Sequence, residues 1–252
     1  MARLEQDAQA LARFNEELEQ FAYVTAHDQQ EPLRMVTLYT ELLRRKLDSD
    51  DPDVVELTRI IVRSGARMYQ LINDLLRYSR LDASRVLSVP TDAHVAFLAA
   101  IANLEVEIRD QGARVTCSEL PTVGCGASQL VQLFQNLIGN GIKFRGHRPP
   151  EIRVDAERAD VGWRFRIRDN GIGFDPAYAE KIFGVFKRLH GGDAYPGTGI
   201  GLAICRKIVE RYGGRIWAES QPGSGAAFYF TLPACPADAT SVTMPQPAAA
   251  AD

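Results

Sequence analysis

No run of apolar residues approaches the roughly 18 needed for a membrane-spanning helix, and the N-terminal stretch has no signal-peptide core. Direct membrane insertion is therefore not expected. Cysteine is scarce. Cys117, Cys125, Cys205 and Cys235 form no CxxC pair, and with the four histidines they give no metal-ligand spacing. That usage reads as reduced thiols in a cytoplasmic protein, not as a disulfide framework or a zinc module. An excess of basic charge is also missing. The formal charge is −3 and the pI near 5.9. Basic residues are scattered, and pairs such as Arg44-Arg45 read as solvated helix faces, so nucleic acid and anionic membranes are not expected partners. What remains is ordinary globular material. The chain is 46% hydrophobic and 24% charged over 252 residues, enough for one large domain or two small ones.

Leu4, Leu11 and Leu18 stand seven apart, with Phe14 and Phe21 three residues after two of them. This is a heptad with apolar a and d positions, and Glu16, Glu17 and Glu19 lie outside the stripe. Either a partner helix or the chain's own domain could cover that stripe. A dimeric coiled coil over 1–20 is preferred, because no other element is close in sequence. The helical pattern continues through His27 to about Leu47, with Leu38, Leu42 and Leu43 on the apolar face. The run Asp48-Ser-Asp-Asp-Pro52 breaks it, with an acidic cap before proline at the first helical position. A second amphipathic helix is expected from about Asp53 to Leu81, with Leu57, Ile61, Met68, Leu71 and Leu75 in its stripe. One such hairpin cannot bury its own apolar faces, whereas two copies can, as a four-helix bundle. Burial alone therefore predicts a homodimer.

After Leu81 the texture changes to alternating helices and strands. Helices are expected near 91–111 and 126–144, with strands at 113–118, 151–157 and 161–168. A glycine-rich loop follows over 170–200, then a helix to about Tyr212 and strands at 215–219 and 226–232. Hairpin-like strands with helices between them predict an α+β sandwich with helices on one face of a mixed sheet. The boundaries expected are a helical region over 21–82, a linker over 83–90 and the sandwich over 91–233. The Ala- and Pro-rich residues 234–252 are expected to be a disordered tail.

Four local constellations carry chemistry. His27 stands beside Asp28, five residues before Pro32. Imidazole titrates near neutrality and a neighbouring carboxylate can hold one tautomer. Asn136, Asn140 and Lys143 share one face of the 126–144 helix at i, i+4 and i+7. Those amides need partners; phosphate-bound Mg²⁺ would satisfy Asn140, and capping of nearby loops is the alternative. Asp169 follows a strand and could accept the exocyclic amine of adenine, with Gly171 and Gly173 permitting close approach to a ligand. Finally, Pro196-Gly-Thr-Gly-Ile-Gly-Leu202 opens a helix, and exposed amides at a helix N-terminus bind anions.

In one order and at these spacings, the motifs resemble the transmitter region of sensor histidine kinases. That region is a dimerisation and phosphoacceptor hairpin followed by an ATP-binding domain of the Bergerat (GHKL) type. The resemblance covers about residues 15–233. His27 matches the acceptor box, Asn136 to Lys143 the N box, and Asp169-Asn-Gly-Ile-Gly173 the first glycine box. Phe183-Gly-Val-Phe186-Lys-Arg188 looks like the F box, Gly197-Thr-Gly-Ile-Gly201 the second glycine box, and Gly223-Ser-Gly225 the terminal glycine turn. The segments His-Asp-x-Gln-Glu-Pro-Leu-Arg and Tyr-Pro-Gly-Thr-Gly-Ile-Gly look most like the phytochrome-type subgroup.

The resemblance implies transfer of the γ-phosphoryl group of ATP to His27, then to an aspartate on a response-regulator receiver domain. It implies Mg²⁺ at Asn140, and nucleotide contacts from Asn136, Lys143, Asp169, Gly171, Gly173 and Arg188. The same holds for Gly197, Thr198, Gly199, Gly201 and Leu202. Residues 174–198 would form a lid that closes over nucleotide, with Gly191, Gly192 and Gly197 giving it freedom. Phe183 and Phe186 are equally readable as core or as lid anchors. The resemblance further implies an upstream sensor module before residue 1. GHKL ATP hydrolases carry a water-activating glutamate four residues before the magnesium asparagine; here that place is Asn136, which disfavours hydrolysis. Threonine or asparagine four residues after the acceptor histidine orients water for dephosphorylation in one subgroup. Here that place is Glu31, so phosphatase or scaffold action stays open. Gly141 departs from the alanine usual in such N boxes.

Overall fold

The computed structural model describes residues 32–45, 51–83, 89–160, 162–189, 195 and 197–235. These group into two compact units. One unit gathers the first two helices with the segment Glu180–Lys207, and the other takes the chain between them and the stretch from Ile208 onward.

In the first unit, α1 is described over 32–45 and α2 runs Pro52–Ala83. Asp51 starts α2: its side chain accepts from the Asp53 amide at 2.9 Å, and Pro52 occupies the first helical position, where a missing N–H costs nothing. A Cβ on Gly65 would sit 2.4 Å from Thr37 Oγ1, so glycine lets the two helices approach closely. Many apolar residues stay exposed, including Leu38, Leu42 and Leu43 on α1 and Leu57, Ile61 and Met68 on α2. The coiled-coil stripe expected over 1–20 lies outside the described residues.

The second unit is an α+β sandwich. Its sheet runs in the order β2-β4-β5-β7-β6, formed by Arg114–Cys117, Glu151–Ala159, Gly162–Asp169, Ala226–Leu232 and Ile216–Ser220. Only β2 and β4 are parallel. Strand alternation sends Ile152, Val154, Phe165, Ile167, Phe228 and Phe230 to the buried side. There α5 (Ala127–Lys143) packs over β4 and β5, with α3 (Ala93–Asn103) and α4 (Glu105–Gln111) against it. Phe134 of α5 is the hub. It meets Phe97 of α3, Phe165 of β5 and Phe230 of β7 edge-on at ring-centroid distances of 6.0–6.2 Å, while Phe165 and Phe230 stack at 4.8 Å. The Tyr212 hydroxyl accepts from the Gly126 amide at 2.9 Å and donates to Gln129, tying down the start of α5.

Three details depart from the expected elements. The helix expected over 91–111 is a three-residue strand β1 (Pro90–Asp92) and two helices parted at Leu104. Asp92 caps α3 by accepting from the amides of His94 and Val95. The small sheet of β1 with β3 (Thr122–Gly124) was also absent from the sequence reading. Strands of three residues are too short to show a periodicity. The stretch expected as plain loop over 170–200 contains two 3₁₀ turns, Pro176–Tyr178 and Lys181–Phe183. The helix after it is α6, Gly201–Arg211.

Candidate functional site

His27, Asp28 and Glu31 lie outside the described residues, as do Gly191, Gly192 and Pro196. The expected nucleotide residues divide between the units. Asn136, Asn140, Lys143, Asp169, Gly171 and Gly173 belong to the sheet unit; Arg188, Gly197, Thr198, Gly199, Gly201 and Leu202 belong to the helical one.

In the sheet unit the site is built on Asp169, the last residue of β5. Among the described residues it is the only buried charged side chain, at 8% exposure. Its Oδ1 accepts from the amides of Gly171 at 2.8 Å and Ala226 at 3.1 Å. Oδ2 takes no hydrogen bond from a described residue. Burial pushes the carboxyl above the usual range, while the two amides and the Arg168 charge pull it back. A half-satisfied buried carboxylate calls for a donor on its second oxygen.

Glycines close the surroundings of Asp169. A Cβ on Gly171 would lie 2.4 Å from the Phe144 carbonyl, the group that accepts from the Ile172 amide at 2.9 Å and joins the end of α5 to this turn. Gly173 has φ +62°, and a Cβ there would meet the Gln221 carbonyl at 2.1 Å. Gly141 also finds its reason here. A Cβ on it would stand 2.8 Å from Ile152 Cγ1 and 3.2 Å from Asp169 Cβ, so the missing methyl lets α5 settle onto β4 and β5. Asn136, Asn140 and Lys143 are half-buried along the same helix. The Asn140 amide makes no side-chain hydrogen bond among the described residues, while Lys143 Nζ lies 4.2 Å from the centre of the Phe144 ring.

Asn170 was missed in the sequence, where it reads only as a spacer between Asp169 and Gly171. Its Oδ1 accepts from the Glu151 amide at 2.9 Å and its Nδ2 donates to the Pro149 carbonyl at 3.0 Å, so it clamps the entry to β4. The acceptor and donor carried together by one carboxamide are the only local signal for such a clamp.

In the helical unit Gly197 and Gly199 have φ of +150° and +77°, as a glycine-rich turn before a helix requires. Thr198 donates through Oγ1 to Asp74 of α2 at 2.6 Å. Arg188 donates to the Tyr195 carbonyl at 2.7 Å. The two aromatic rings of the 183–188 segment separate cleanly. Phe183 is buried with the Arg206 guanidinium 5.1 Å from its ring centre, whereas Phe186 is 58% exposed and held at φ +60°. A β-unbranched but bulky residue in that region carries strain of order 1 kcal/mol.

A mixed sheet covered by helices on one face, with a buried carboxylate ending a central strand, is the Bergerat arrangement of ATP-binding domains. Comparisons with known proteins agree. The family model for the histidine kinase-, DNA gyrase B- and HSP90-like ATPases matches residues 125–236, and the His Kinase A (phospho-acceptor) domain matches residues 17–84. Cyanobacterial phytochrome A of Nostoc sp. is 49% identical over 231 residues, covering 91% of this chain and 30% of that protein. Phytochrome-like protein Cph1 of Synechocystis sp. is 43% identical, covering 91% of this chain and 31% of that protein. The chain thus spans less than a third of the length of these relatives. Among solved structures, histidine kinase ThkA in complex with the response regulator protein TrrA superposes with TM-score 0.62 at 24% identity, over 94% of this chain and 67% of that one. At that identity the match speaks for the fold. The chain thus joins a His Kinase A (phospho-acceptor) domain to a domain of the histidine kinase-, DNA gyrase B- and HSP90-like ATPases, the make-up of a histidine kinase transmitter region, with phytochrome-type proteins among its relatives.

Proposed function

We propose that this chain transfers the γ-phosphoryl group of ATP to an imidazole nitrogen of His27 and then to an aspartate of a response-regulator receiver domain. The observation that carries the nucleotide half of this reading is Asp169, with one oxygen saturated by backbone amides and the other left for the exocyclic amine of adenine. Lys143 contacts phosphate in this reading, and Asn136, Gly171, Gly173, Arg188, Gly197, Thr198, Gly199, Gly201 and Leu202 complete the nucleotide contacts. Magnesium fits Asn140, whose amide oxygen is uncommitted on a half-buried helix face; the ion commonly takes one or two protein oxygens and fills its sphere with phosphate and water. Bound there, it would supply charge neutralisation on the phosphate oxygens.

Phosphoryl transfer asks the protein for alignment and electrostatics more than covalent chemistry. A nitrogen lone pair of neutral His27 forms the new N–P bond as the bond to the bridging oxygen breaks and ADP leaves. The proton on the other ring nitrogen is held by Asp28, which fixes the tautomer and stabilises the positive charge that develops. Glu31 stands where one subgroup has the residue that orients water for dephosphorylating the regulator, so kinase activity is favoured over phosphatase activity. Asn136 cannot act as a general base, which disfavours plain ATP hydrolysis. The apolar residues left exposed on α1 and α2 support a homodimer. None of the described helices is long and apolar enough to cross a membrane; a cytoplasmic location and an upstream sensor module complete the proposal.

Incubation with γ-labelled ATP tests the central step. Acid-labile, base-stable label is expected on the parent chain and none on His27→Gln, which retains nucleotide binding. Acid-labile label on the variant would remove His27 as acceptor.

A further inference from the structure

The side of the sheet turned away from α5 has its own chemistry. Three arginines alternate along β5, Arg164, Arg166 and Arg168, all exposed. Carboxylates answer some of them. Arg164 Nε donates to Glu157 at 2.6 Å, and Asp155 accepts from Arg153 and Arg166, each at 2.9 Å. Burial alone would raise Asp155, but these two guanidinium groups outweigh it and hold its carboxyl below the usual range. Arg114, Arg148 and Arg168 form no ion pair among the described residues, the Asp169 charge acting on Arg168 without a direct contact.

These unanswered charges converge. Arg168 stands directly across from Arg153 in the β4–β5 ladder, and Arg114 across from Glu151 in the β2–β4 ladder. Arg168 and Arg153 are like charges directly opposed on a sheet, which is unfavourable, whereas Arg114 and Glu151 are opposite charges. Arg148 is brought to the same corner by the Asn170 clamp on Pro149 and Glu151, and by the Arg114 amide donating to the Pro150 carbonyl at 2.8 Å. The corner is concave. A cavity of about 590 Å³ is lined there by Arg114, Arg148, Arg153, Arg168, Glu151 and Asn170, among others, within the range of small-ligand sites. Four guanidinium groups share this cavity with two carboxylates, Glu151 and the largely buried Asp169, in a chain whose net charge is −3. Guanidinium forks match phosphate oxygens in pairs, and the corner offers no aromatic plate for a base.

We propose that this corner of the open sheet face is a second ligand site, which binds the diphosphate moiety of a small multiply charged anion through Arg114, Arg148 and Arg168. Arg153 joins them to the extent that Asp155 releases it. The site stands independently of whether His27 accepts a phosphoryl group.

Calorimetric titration of the full chain with inorganic pyrophosphate, in low-salt buffer without magnesium, tests this. Saturable binding is expected. Arg114→Gln with Arg148→Gln weakens it by about tenfold or more, the scale of a lost charged hydrogen bond. Asp155→Ala, on the exposed face, tightens it by freeing Arg153. Titration with ADP distinguishes the source of the diphosphate: an ADP event lost in the double arginine variant assigns a nucleotide diphosphate to this corner. An ADP event that the double arginine variant leaves intact leaves the corner to the free anion. The proposal is overturned if pyrophosphate gives no heat at millimolar concentration, or if its affinity moves less than twofold in the double arginine variant. It is also overturned if sulfate binds equally well, which would mark a diffuse field instead of a site. Unchanged circular dichroism in the variants separates a lost contact from a lost fold.

Discussion

Asp169 sets function against stability at a single side chain. Burial raises its folded-state pKa, so in the window between its unfolded and folded values the native state binds the extra proton. Stability contributed by that group therefore falls as pH rises through the window, and the ionised form at neutral pH is held at a cost. Asparagine in its place keeps an oxygen for the amides of Gly171 and Ala226 and removes the charge. We expect Asp169→Asn to melt no lower than the parent at pH 7, and to melt with a weaker pH dependence on the acid side of neutrality. The same variant should lose ATP affinity by about a hundredfold, as a site built to bond a donor loses its acceptor. Differential scanning calorimetry across pH, alongside nucleotide titration, checks both halves; a lower Tm with intact binding would refute the assignment. The place of Asp169 at a strand end, before Gly171 and Gly173, was legible in sequence. Its two restraining amides were not, because Ala226 lies on another strand.

At the scale of elements, the fit of α5 onto the sheet depends on one absent methyl group. Alanine at 141 would gain about 1 kcal/mol of helix propensity, yet its Cβ would press on Ile152 Cγ1 at 2.8 Å in a fully packed site. Overpacking of that kind costs about 1–3 kcal/mol. Gly141→Ala should therefore lower the Tm by several degrees and weaken nucleotide binding, because α5 carries Asn136 and Asn140. A Tm at or above the parent would show that Ile152 yields freely. From the sequence Gly141 was only an oddity, since its partner Ile152 comes from a strand. The amphipathic helices α2, α5 and α6 were legible from their periodicity, and the Asp51-Pro52 start of α2 from capping chemistry. The break at Leu104 was not, because the residues on either side continue a helical pattern. Nor was the Thr198–Asp74 bond, which joins residues 124 apart.

For the whole molecule, the exposed apolar side chains of α1 and α2 are the feature a single copy cannot satisfy. Leu57 and Ile61, one helical turn apart on α2, are 60% and 43% exposed. Paired substitution Leu57→Asp with Ile61→Asp should convert a dimer to monomer in sedimentation equilibrium, while the sheet unit keeps its nucleotide affinity. A dimer that survives the pair would place the interface elsewhere. The hairpin was legible in the sequence as a burial problem with a two-copy answer. The arginine corner was not read there, although Arg164, Arg166 and Arg168 alternate in plain view, because alternation shows a face without showing what else shares it.

The strand order has a consequence for synthesis. β7, the last strand made, lies between β5 and β6. Until Ala226–Leu232 leaves the ribosome, β5 has one unpaired edge, β6 has no neighbour, and Asp169 lacks the Ala226 amide. The nascent sheet must wait, with Phe165 missing the ring of Phe230 that stacks on it. Such late closure exposes apolar strands for longer. This domain is therefore expected to draw on chaperones during translation more heavily than the helices that precede it.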